Sequence, residues 1–220
     1  VLLIDKPLEW TSFQAVNKIR WHIKKKFGLK KIKVGHAGTL DPLATGLLII
    51  CTGKETKNIS TYQGQKKRYT GTFTLGSTTR SYDLETAIES TYPTEHITQE
   101  ILTKATQNFI GEINQKPPLF SAIKKDGKRM YELARKGDSV EIESRKISIF
   151  EFKITTIKMP VIEFEIVCSK GTYIRSLAND FGKVLNSGAH LSSLRRTKIG
   201  EFSIEDALSI AEFIDQLEKA

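Results

Sequence analysis

The apolar run Leu47–Cys51 constrains the fold more than any other feature of the chain. Its residues, Leu-Leu-Ile-Ile-Cys, include no polar side chain, and the run has the length of a strand. A strand that is apolar throughout is typical of a position covered on both faces. The sequence therefore predicts a buried strand here, entered from the glycine-rich segment that precedes it.

Other strands are predicted from alternation. Tyr69, Gly71, Phe73 and Leu75 alternate with threonines, which is the period-two pattern of a half-buried strand. The same alternation in 146–158 and 161–168, with Met159-Pro160 in the break between them, predicts an antiparallel hairpin. A further strand is predicted at Val1–Asp5, before Pro7.

Helices are predicted where apolar residues recur at helical spacing after a capping residue. Thr11 or Ser12 caps the first, Thr98 the second, Thr172 opens the third, and Ser203 with Asp206 forms a capping-box pattern before the last. The side chains expected to face inward are Val16, Ile19, Ile23 and Phe27; Ile101, Leu102, Ala105 and Phe109; Ile174, Leu177, Ala178, Phe181 and Leu185; and Ala207, Ile210, Ala211 and Ile214.

Strands and helices are interspersed along the 220 residues without internal repeats or a low-complexity linker. A hydrophobic share of 39% is sufficient for a core. We therefore expect one continuous α+β domain, 1–220, with a basic insertion at 117–145 that leaves the core and contains a short helix.

The charge of the chain favours a protein that binds polyanions, and its cysteines favour an intracellular one. Lys and Arg total 34 against 25 acids, a net charge of +9, and such a balance suits RNA or DNA. Basic residues cluster between Arg20 and Lys33, where they fit either an anionic partner or a solvated helix face. Cys51 and Cys168 lie in apolar surroundings, which predicts buried thiols in a reducing compartment. With no signal segment or membrane span, a cytoplasmic protein is expected.

Nucleotide-cofactor and zinc sites are not expected. Thr52-Gly53-Lys54-Glu55 resembles the end of a phosphate-binding loop, but the hydroxyl residue required after the lysine is Glu55. The histidines share no ligand spacing with either cysteine. We therefore expect neither a metal nor an organic cofactor.

The segment Gly35–Gly46 is the strongest candidate for chemistry. Three glycines surround one acid, Asp41, and Pro42 pushes that acid towards extended backbone. Such a carboxylate, at the mouth of a buried strand, could serve as a nucleophile. It could equally form an Asx turn or cap a helix, and the spacing alone does not decide between these interpretations.

The segment 35–48 resembles the signature of the TruB family of tRNA pseudouridine synthases. It reads Gly-His-Ala-Gly-Thr-Leu-Asp-Pro-Leu-Ala-Thr-Gly-Leu-Leu. The resemblance extends, in the family's order and approximate spacing, through Leu3-Ile4-Asp5-Lys6-Pro7, Lys67-Arg68-Tyr69, Pro117-Pro118-Leu119-Phe120-Ser121-Ala122 and Cys168-Ser169-Lys170-Gly171-Thr172-Tyr173-Ile174-Arg175. It implies the pseudouridine synthase fold, a mixed and mainly antiparallel central sheet flanked by helices. The insertion would be its RNA-binding thumb.

The resemblance also implies a role for each matching residue. Asp41 would be the nucleophile, Tyr69 would stack on the flipped uracil and help remove its C5 proton, and Arg175 would pair with Asp41. Physical chemistry makes this division sensible, because a carboxylate can split a difficult transfer into two steps and a guanidinium fork can hold it in one orientation. The flat ring of a tyrosine suits a base removed from its stack.

Further residues match the family more loosely. His36 would enter the RNA loop when the base flips, Tyr173 and Leu194 would line the uracil pocket, and Lys6 would support the catalytic loop. The implied reaction is conversion of the T-loop uridine of tRNA to pseudouridine by a monomer that needs no guide RNA.

Two departures from the family pattern are expected to matter. Arg80 stands where the family usually has an Asp, although Asp83 fits. The chain also ends after one helix, where many relatives continue into a PUA domain.

Overall fold

The structure is a computed structural model that describes residues 1–121, 124–125, 128–129 and 142–219. Its described strands are β1 Leu2–Lys6, β2 Val34–His36, β3 Ala44–Thr52, β4 Lys67–Leu75, β5 Ser77–Thr79, β6 Ile88–Thr91, β7 Gly111–Gln115, β8 Lys124–Lys125, β9 Lys128–Arg129, β10 Arg145–Lys158, β11 Val161–Cys168, β12 Ala189–Ile199, β13 Phe202–Ser203 and β14 Leu208–Ser209. Its described α-helices are α1 Ser12–Lys26, α2 Ile59–Gly64, α3 Gln99–Gln107, α4 Ile174–Val184 and α5 Ile210–Lys219, and two short 3₁₀ helices span Gly53–Asn58 and Ile204–Asp206.

The chain divides into two compact units, and each is described by itself. Unit 1 comprises Val1–Thr70 and Ser193–Ala220, and unit 2 comprises Gly71–Ser192. Strands β4 and β12 contribute residues to both units. The architecture is α+β with a large mixed sheet, as expected from the sequence.

Unit 1 is built around β3. This strand pairs antiparallel with β1 and with β2, and parallel with β12, while β14 lies parallel to the outer side of β1. One face of this sheet packs on α1 and α5 through a cluster that includes Ile4, Ile19 and Phe213. A second cluster, formed by Ala37, Leu47, Ile49, Cys51 and Ile199, contains the other side chains of the buried strand.

Unit 2 is a sheet in the order β4, β11, β10, β7, whose last three strands pair antiparallel. Its core is aromatic: rings from the sheet, from α4 and from the turn after α3 pack at centroid distances of 4.3 to 6.2 Å, namely those of Phe73, Phe109, Phe152, Phe164 and Phe181. Edge-to-face and tilted pairs of this kind add to the stability gained from apolar burial.

Most element predictions are confirmed. Leu47–Cys51 is entirely buried within β3, and both cysteines are buried thiols, as predicted. The predicted hairpin is β10 and β11, paired antiparallel. Thr11 caps α1 with its hydroxyl, and Gln14 completes a capping box that the sequence analysis did not identify.

Three predictions are wrong in detail. Phe27 is 59% exposed because it is the C-cap of α1, where the chain leaves the helical face. Ile101 is 40% exposed, since it lies one position off the stripe of Leu102 and Ala105. The last helix does not begin at Ser203: that residue caps a single 3₁₀ turn, and α5 begins after Ser209.

The cap of α5 is a reciprocal pair of hydrogen bonds. Glu212 N donates to Ser209 Oγ at 3.1 Å, and Ser209 N donates to Glu212 Oε2 at 2.8 Å. The true capping box therefore lies six residues beyond the predicted one. As a result Ala211 is exposed and Ala207 precedes the helix, whereas Ile210 is buried as expected.

The predicted helix of the 117–145 insertion falls mainly on residues outside the described ranges. At its edges the described residues form the antiparallel pair β8 and β9, with Lys124 opposite Arg129. In the part of the chain that the structure describes, no helix is both long and apolar enough to cross a membrane.

Candidate active site

The structure places five of the predicted site residues in unit 1 and two in unit 2. Lys6 ends β1, His36 ends β2, Asp41 lies in the loop before β3, Tyr69 is on β4 and Leu194 is on β12. Tyr173 and Arg175 lie at the start of α4 in unit 2.

The loop that carries Asp41 is held by hydrogen bonds on both sides of the acid. Ser12 Oγ, on a buried side chain, bonds both the N–H and the carbonyl oxygen of Leu40, at 2.8 and 3.0 Å. Glu9 N donates to Pro42 O at 2.8 Å, and Ala44 N donates to Asp41 O at 3.1 Å. Because its backbone is fixed in this way, the half-buried Asp41 side chain starts from a defined position.

Lys6 lies beneath this loop, fully buried. Its ammonium donates to the carbonyl oxygens of Trp10 at 2.5 Å, Pro7 at 2.7 Å and Pro42 at 3.4 Å. Burial lowers the pKa of Lys6 to about 8, and the charge of Asp41 opposes that shift. The lysine therefore joins the first strand to the residue that follows the acid.

Arg196 is a second buried cation under the same loop, and the sequence analysis did not identify it. It is 1% exposed. Its Nε donates to Leu47 O at 2.8 Å, and its Nη2 donates to Gly38 O at 3.0 Å. The guanidinium thus bonds to the chain on both sides of Asp41: at Gly38 in the loop before it and at Leu47 in the buried strand after it.

Two glycines allow this close approach. Gly38 and Gly46 both have a φ near +100°, where residues with a Cβ are strained. A Cβ at Gly46 would also overlap the backbone of Arg196, the residue opposite it in the parallel register. Backbone geometry therefore explains Gly38 and Gly46, and contact with β12 adds to the reason for Gly46.

His36 ends the short strand β2, opposite Ile50. Burial lowers the pKa of its imidazole, and the positive charge of Arg196 lowers it further, while a backbone hydrogen bond with Gly38 acts in the opposite direction. His36 is therefore a neutral side chain in neutral solution. Tyr69 is buried, and Leu194 is half-buried opposite Ala44 in the parallel pair.

In unit 2, Arg175 is buried beside Asp83. Their closest atoms, Nε and Oδ2, are 3.6 Å apart, and Nη1 of the arginine also donates to Ser81 O at 3.4 Å. Asp83 Oδ1 accepts a hydrogen bond from Glu85 N at 2.9 Å. Arg80, at which a departure from the family pattern was expected, is exposed.

Tyr173 is fixed by a residue that the sequence analysis also missed. Gln115, buried at the end of β7, donates to Tyr173 O at 3.0 Å and accepts from Tyr173 N at 2.8 Å. The guanidinium of Arg145 lies 5.7 Å from the centre of the tyrosine ring, within cation–π range.

Arg196 and Gln115 share a reason for having been missed. Each acts on the backbone of a residue distant in the chain, so no local pattern marks it. One signal was available for Arg196: it stands in the run Leu194-Arg195-Arg196 immediately after alternating residues, where a cation on the inward face is unusual.

Two family models match the chain over consecutive ranges. The N-terminal domain of the TruB family pseudouridylate synthases matches residues 24–174, and the C-terminal domain of tRNA pseudouridylate synthase B matches residues 175–220. An α+β fold with these matches defines a pseudouridine synthase, which is an isomerase. The chain belongs to the TruB family.

Curated relatives agree along the whole chain. A tRNA pseudouridine synthase B of Flavobacterium johnsoniae is 64% identical over 99% of this chain and 96% of its own length. A protein of the same name from Phocaeicola vulgatus is 58% identical over 100% of this chain and 93% of its own.

Solved structures support the fold. The chain resembles one in a Cbf5-Nop10-Gar1 complex with a TM-score of 0.71 and 27% identity, and one in an H/ACA RNP bound to a substrate RNA containing 2'-deoxyuridine with a TM-score of 0.69 and 26% identity. Both matches include 97% of this chain. They include 53% of the chain in the Cbf5-Nop10-Gar1 complex and 52% of the chain in the H/ACA RNP.

Proposed function

We propose that the protein converts uridine to pseudouridine in tRNA, at the T-loop uridine that is position 55 in tRNA numbering. Support for tRNA as the substrate comes from the names of relatives up to 64% identical. The T-loop position rests on the family resemblance. In this proposal the protein acts as a cytoplasmic monomer on bare tRNA, without a guide RNA, metal or organic cofactor.

The reaction is an isomerisation, so its atoms balance without a co-reactant. The bond between C1′ and N1 of uracil breaks, the base rotates, and a bond from C1′ to C5 forms. The proton leaves C5 and N1 regains one. Asp41 is the proposed nucleophile. Its attack divides the transfer into two steps, and the base turns between them.

The other site residues divide the remaining tasks. Tyr69 stacks on the flipped uracil and helps to take the C5 proton, and Arg175 pairs with Asp41. His36 enters the RNA loop when the base leaves it. Tyr173 and Leu194 line the uracil pocket, and Lys6 supports the catalytic loop.

One observation carries the proposal: Asp41 lies in a loop whose backbone is bonded at Leu40, Asp41 and Pro42, and its charge interacts with the buried ammonium of Lys6. An Asx turn would need no such support from Ser12, Glu9 and Lys6. A held carboxylate is what a nucleophilic step requires.

The experiment uses tRNA tritiated at uracil C5. The wild-type protein should release tritium from one uridine per tRNA, and Asp41→Asn should release none while still binding tRNA. Asp180→Asn, on the surface of α4, is the matched control and should react as the wild type does. Full release from Asp41→Asn would contradict the assignment of the nucleophile.

The basic charge supports a second candidate, an RNA-binding or tRNA-folding module for which catalysis is secondary. That candidate predicts unchanged tRNA refolding with Asp41→Asn and negligible turnover by the wild type. Turnover on bare tRNA also separates the proposed enzyme from a guide-dependent one, which would need added guide RNA.

A further inference from the structure

The excess positive charge of the chain is concentrated in one segment. Residues 10–40 contain eight Lys and Arg and no Asp or Glu, which leaves 26 basic and 25 acidic side chains in the rest of the molecule. Nearly the whole net charge of +9 therefore belongs to α1 and the connection that follows it. These eight residues are Lys18, Arg20, Lys24, Lys25, Lys26, Lys30, Lys31 and Lys33.

Most of these cations are at the surface of unit 1. The apolar side of α1 faces the core through Val16, Ile19 and Ile23, so the basic side chains lie on its other side and beyond its end. The side chains classed as exposed are Lys18, Lys25, Lys26, Lys30, Lys31 and Lys33. The helix dipole accounts only for lysines in the last turn, Lys24–Lys26, and not for the three that follow the helix.

Aromatic rings are exposed among these cations. Trp21 is 54% exposed, although a tryptophan is usually largely buried. The ammonium of Lys25, one helical turn later, lies 5.2 Å from the centre of the Trp21 ring. Phe27 is exposed at the end of the same helix. A flat ring next to cations is the combination that binds an unpaired base and the phosphates beside it.

We propose that Lys18–Lys33, which we call the basic-aromatic surface, is an RNA-docking surface: its lysines contact phosphates and Trp21 stacks on an unpaired base. The proposal rests on the proposed function in one respect, that the RNA is the substrate tRNA. The surface ends three residues before His36. Gly53 N donates to Lys33 O at 2.8 Å, so the end of the surface is bonded to the residue that follows β3.

RNA is favoured over a lipid surface because of where the apolar residues of α1 lie. A helix that binds in a membrane interface presents a continuous apolar face to the lipid. The apolar face of α1 is already covered by α5 and by the sheet of unit 1. What remains exposed is a set of cations around separate apolar side chains, Phe13, Trp21, Phe27 and Leu29.

The test compares two sets of three neutralised lysines. Lys30→Gln, Lys31→Gln and Lys33→Gln are combined in one variant. The control combines Lys153→Gln, Lys183→Gln and Lys219→Gln, which are exposed lysines paired with Glu151, Asp180 and Asp215, so that both variants lose the same formal charge. Dissociation constants for tRNA are measured over a range of salt concentrations, with kcat and KM measured in parallel.

The surface variant, in which Lys30, Lys31 and Lys33 are replaced, should bind tRNA at least about tenfold more weakly. Its slope of log binding constant against log salt concentration should fall in magnitude by about 2, as expected for three lost phosphate contacts. KM should rise with kcat unchanged, and the control should match the wild type. Trp21→Leu should weaken binding about fivefold or more without changing the salt slope, because stacking is not a counterion effect.

Equal losses in the two triple variants would overturn the proposal, since total charge would then explain the binding. So would unchanged affinity in the surface variant, or lysine-dependent binding to vesicles containing anionic phospholipid in place of tRNA. The tritium assay separates this from the proposed function: salt-dependent binding through these lysines without tritium release would contradict the enzyme assignment and support the docking surface.

Discussion

Arg196 donates from Nη2 to the carbonyl oxygen of Gly38 at 3.0 Å, across 158 residues of chain, while its Nε bonds to Leu47 O. One buried guanidinium thereby fixes the beginning of the Asp41 loop relative to the strand that follows it. Removing a buried hydrogen-bonding partner from two carbonyl oxygens is costly, and small displacements at a catalytic group reduce rates strongly.

Arg196→Lys should therefore reduce kcat about 10- to 100-fold, because lysine keeps the charge but cannot bond both carbonyls in the same geometry. KM for tRNA should change much less. Arg195→Lys is the control: Arg195 pairs with Asp5 at the half-exposed surface, and its replacement should leave kcat near the wild-type value. Similar kcat values for the two variants would show that Arg196 does not position the loop.

The pKa of His36 should respond to Arg196. Burial is the larger cause of the lowered pKa and the arginine charge the next, so Arg196→Met should raise the pKa without returning it fully to 6.5. An NMR pH titration of the His36 ring in both proteins measures the change. A pKa that does not move would mean that the two groups are further apart in solution than in the structure.

Lys6 should make stability depend on pH in a defined window. Its folded pKa of about 8 lies below the ordinary value of 10.5, so between these values the unfolded chain binds more protons and stability rises with pH. Lys6→Met lacks this titration. The stability difference between wild type and variant should be constant below pH 8 and should grow above it, by at most about 1.4 kcal/mol per pH unit.

Denaturant unfolding at several pH values tests this window. The variant should also be less stable throughout by about 2 kcal/mol or more, because the carbonyls of Pro7, Trp10 and Pro42 lose their donor. A stability difference that narrows above pH 8 would contradict the lowered pKa.

Gly46→Ala should be strongly destabilising, since the new Cβ would overlap the Arg196 backbone and the residue has a φ of +101°. A loss of about 3 kcal/mol is expected from overpacking and backbone strain together. Gly64→Ala, at the end of α2 with no atom near its Cβ, should be neutral or stabilising by a few tenths. Thermal unfolding of the two variants distinguishes the close approach from a general effect of replacing glycine.

Asp83→Asn should destabilise unit 2 by about 3 kcal/mol, because it removes a buried carboxylate whose Oδ2 lies 3.6 Å from Nε of the buried Arg175. Asp180→Asn, whose partner Lys183 is exposed, should cost under about 0.5 kcal/mol. Urea denaturation gives both values. Comparable losses would mean that the buried pair contributes no more than a surface one.

The parts of the fold that were predicted from sequence are those in which one residue type repeats at a fixed period. Leu47–Cys51, the alternation of β4 and the hairpin of β10 and β11 all follow from burial on one face or two. The last helix was misplaced because Ser203 and Asp206 imitate a capping box, while the pair that forms one is Ser209 and Glu212.

In the candidate site too, local patterns could be predicted from the sequence and contacts between distant residues could not. A single motif marks Asp41, so its loop could be recognised, but the side chains that support the loop come from residues 28 to 158 positions away in the chain. Ser12 bonds Leu40 across 28 residues, and Arg196 bonds Leu47 across 149. Such contacts depend on the folded arrangement of β1, α1 and β12, and no local pattern in the sequence encodes them.

Strand β12 also limits how this protein can change its length. Leu194, Arg195 and Arg196 sit opposite Ala44, Thr45 and Gly46 in the parallel pair, and successive side chains point to opposite faces. One residue deleted shortly before Leu194 would place Thr197 opposite Gly46 and move Arg196 to the other face of the strand, removing the guanidinium from beneath the Asp41 loop. A single-residue deletion there should therefore abolish activity, although it removes none of the residues of the candidate site.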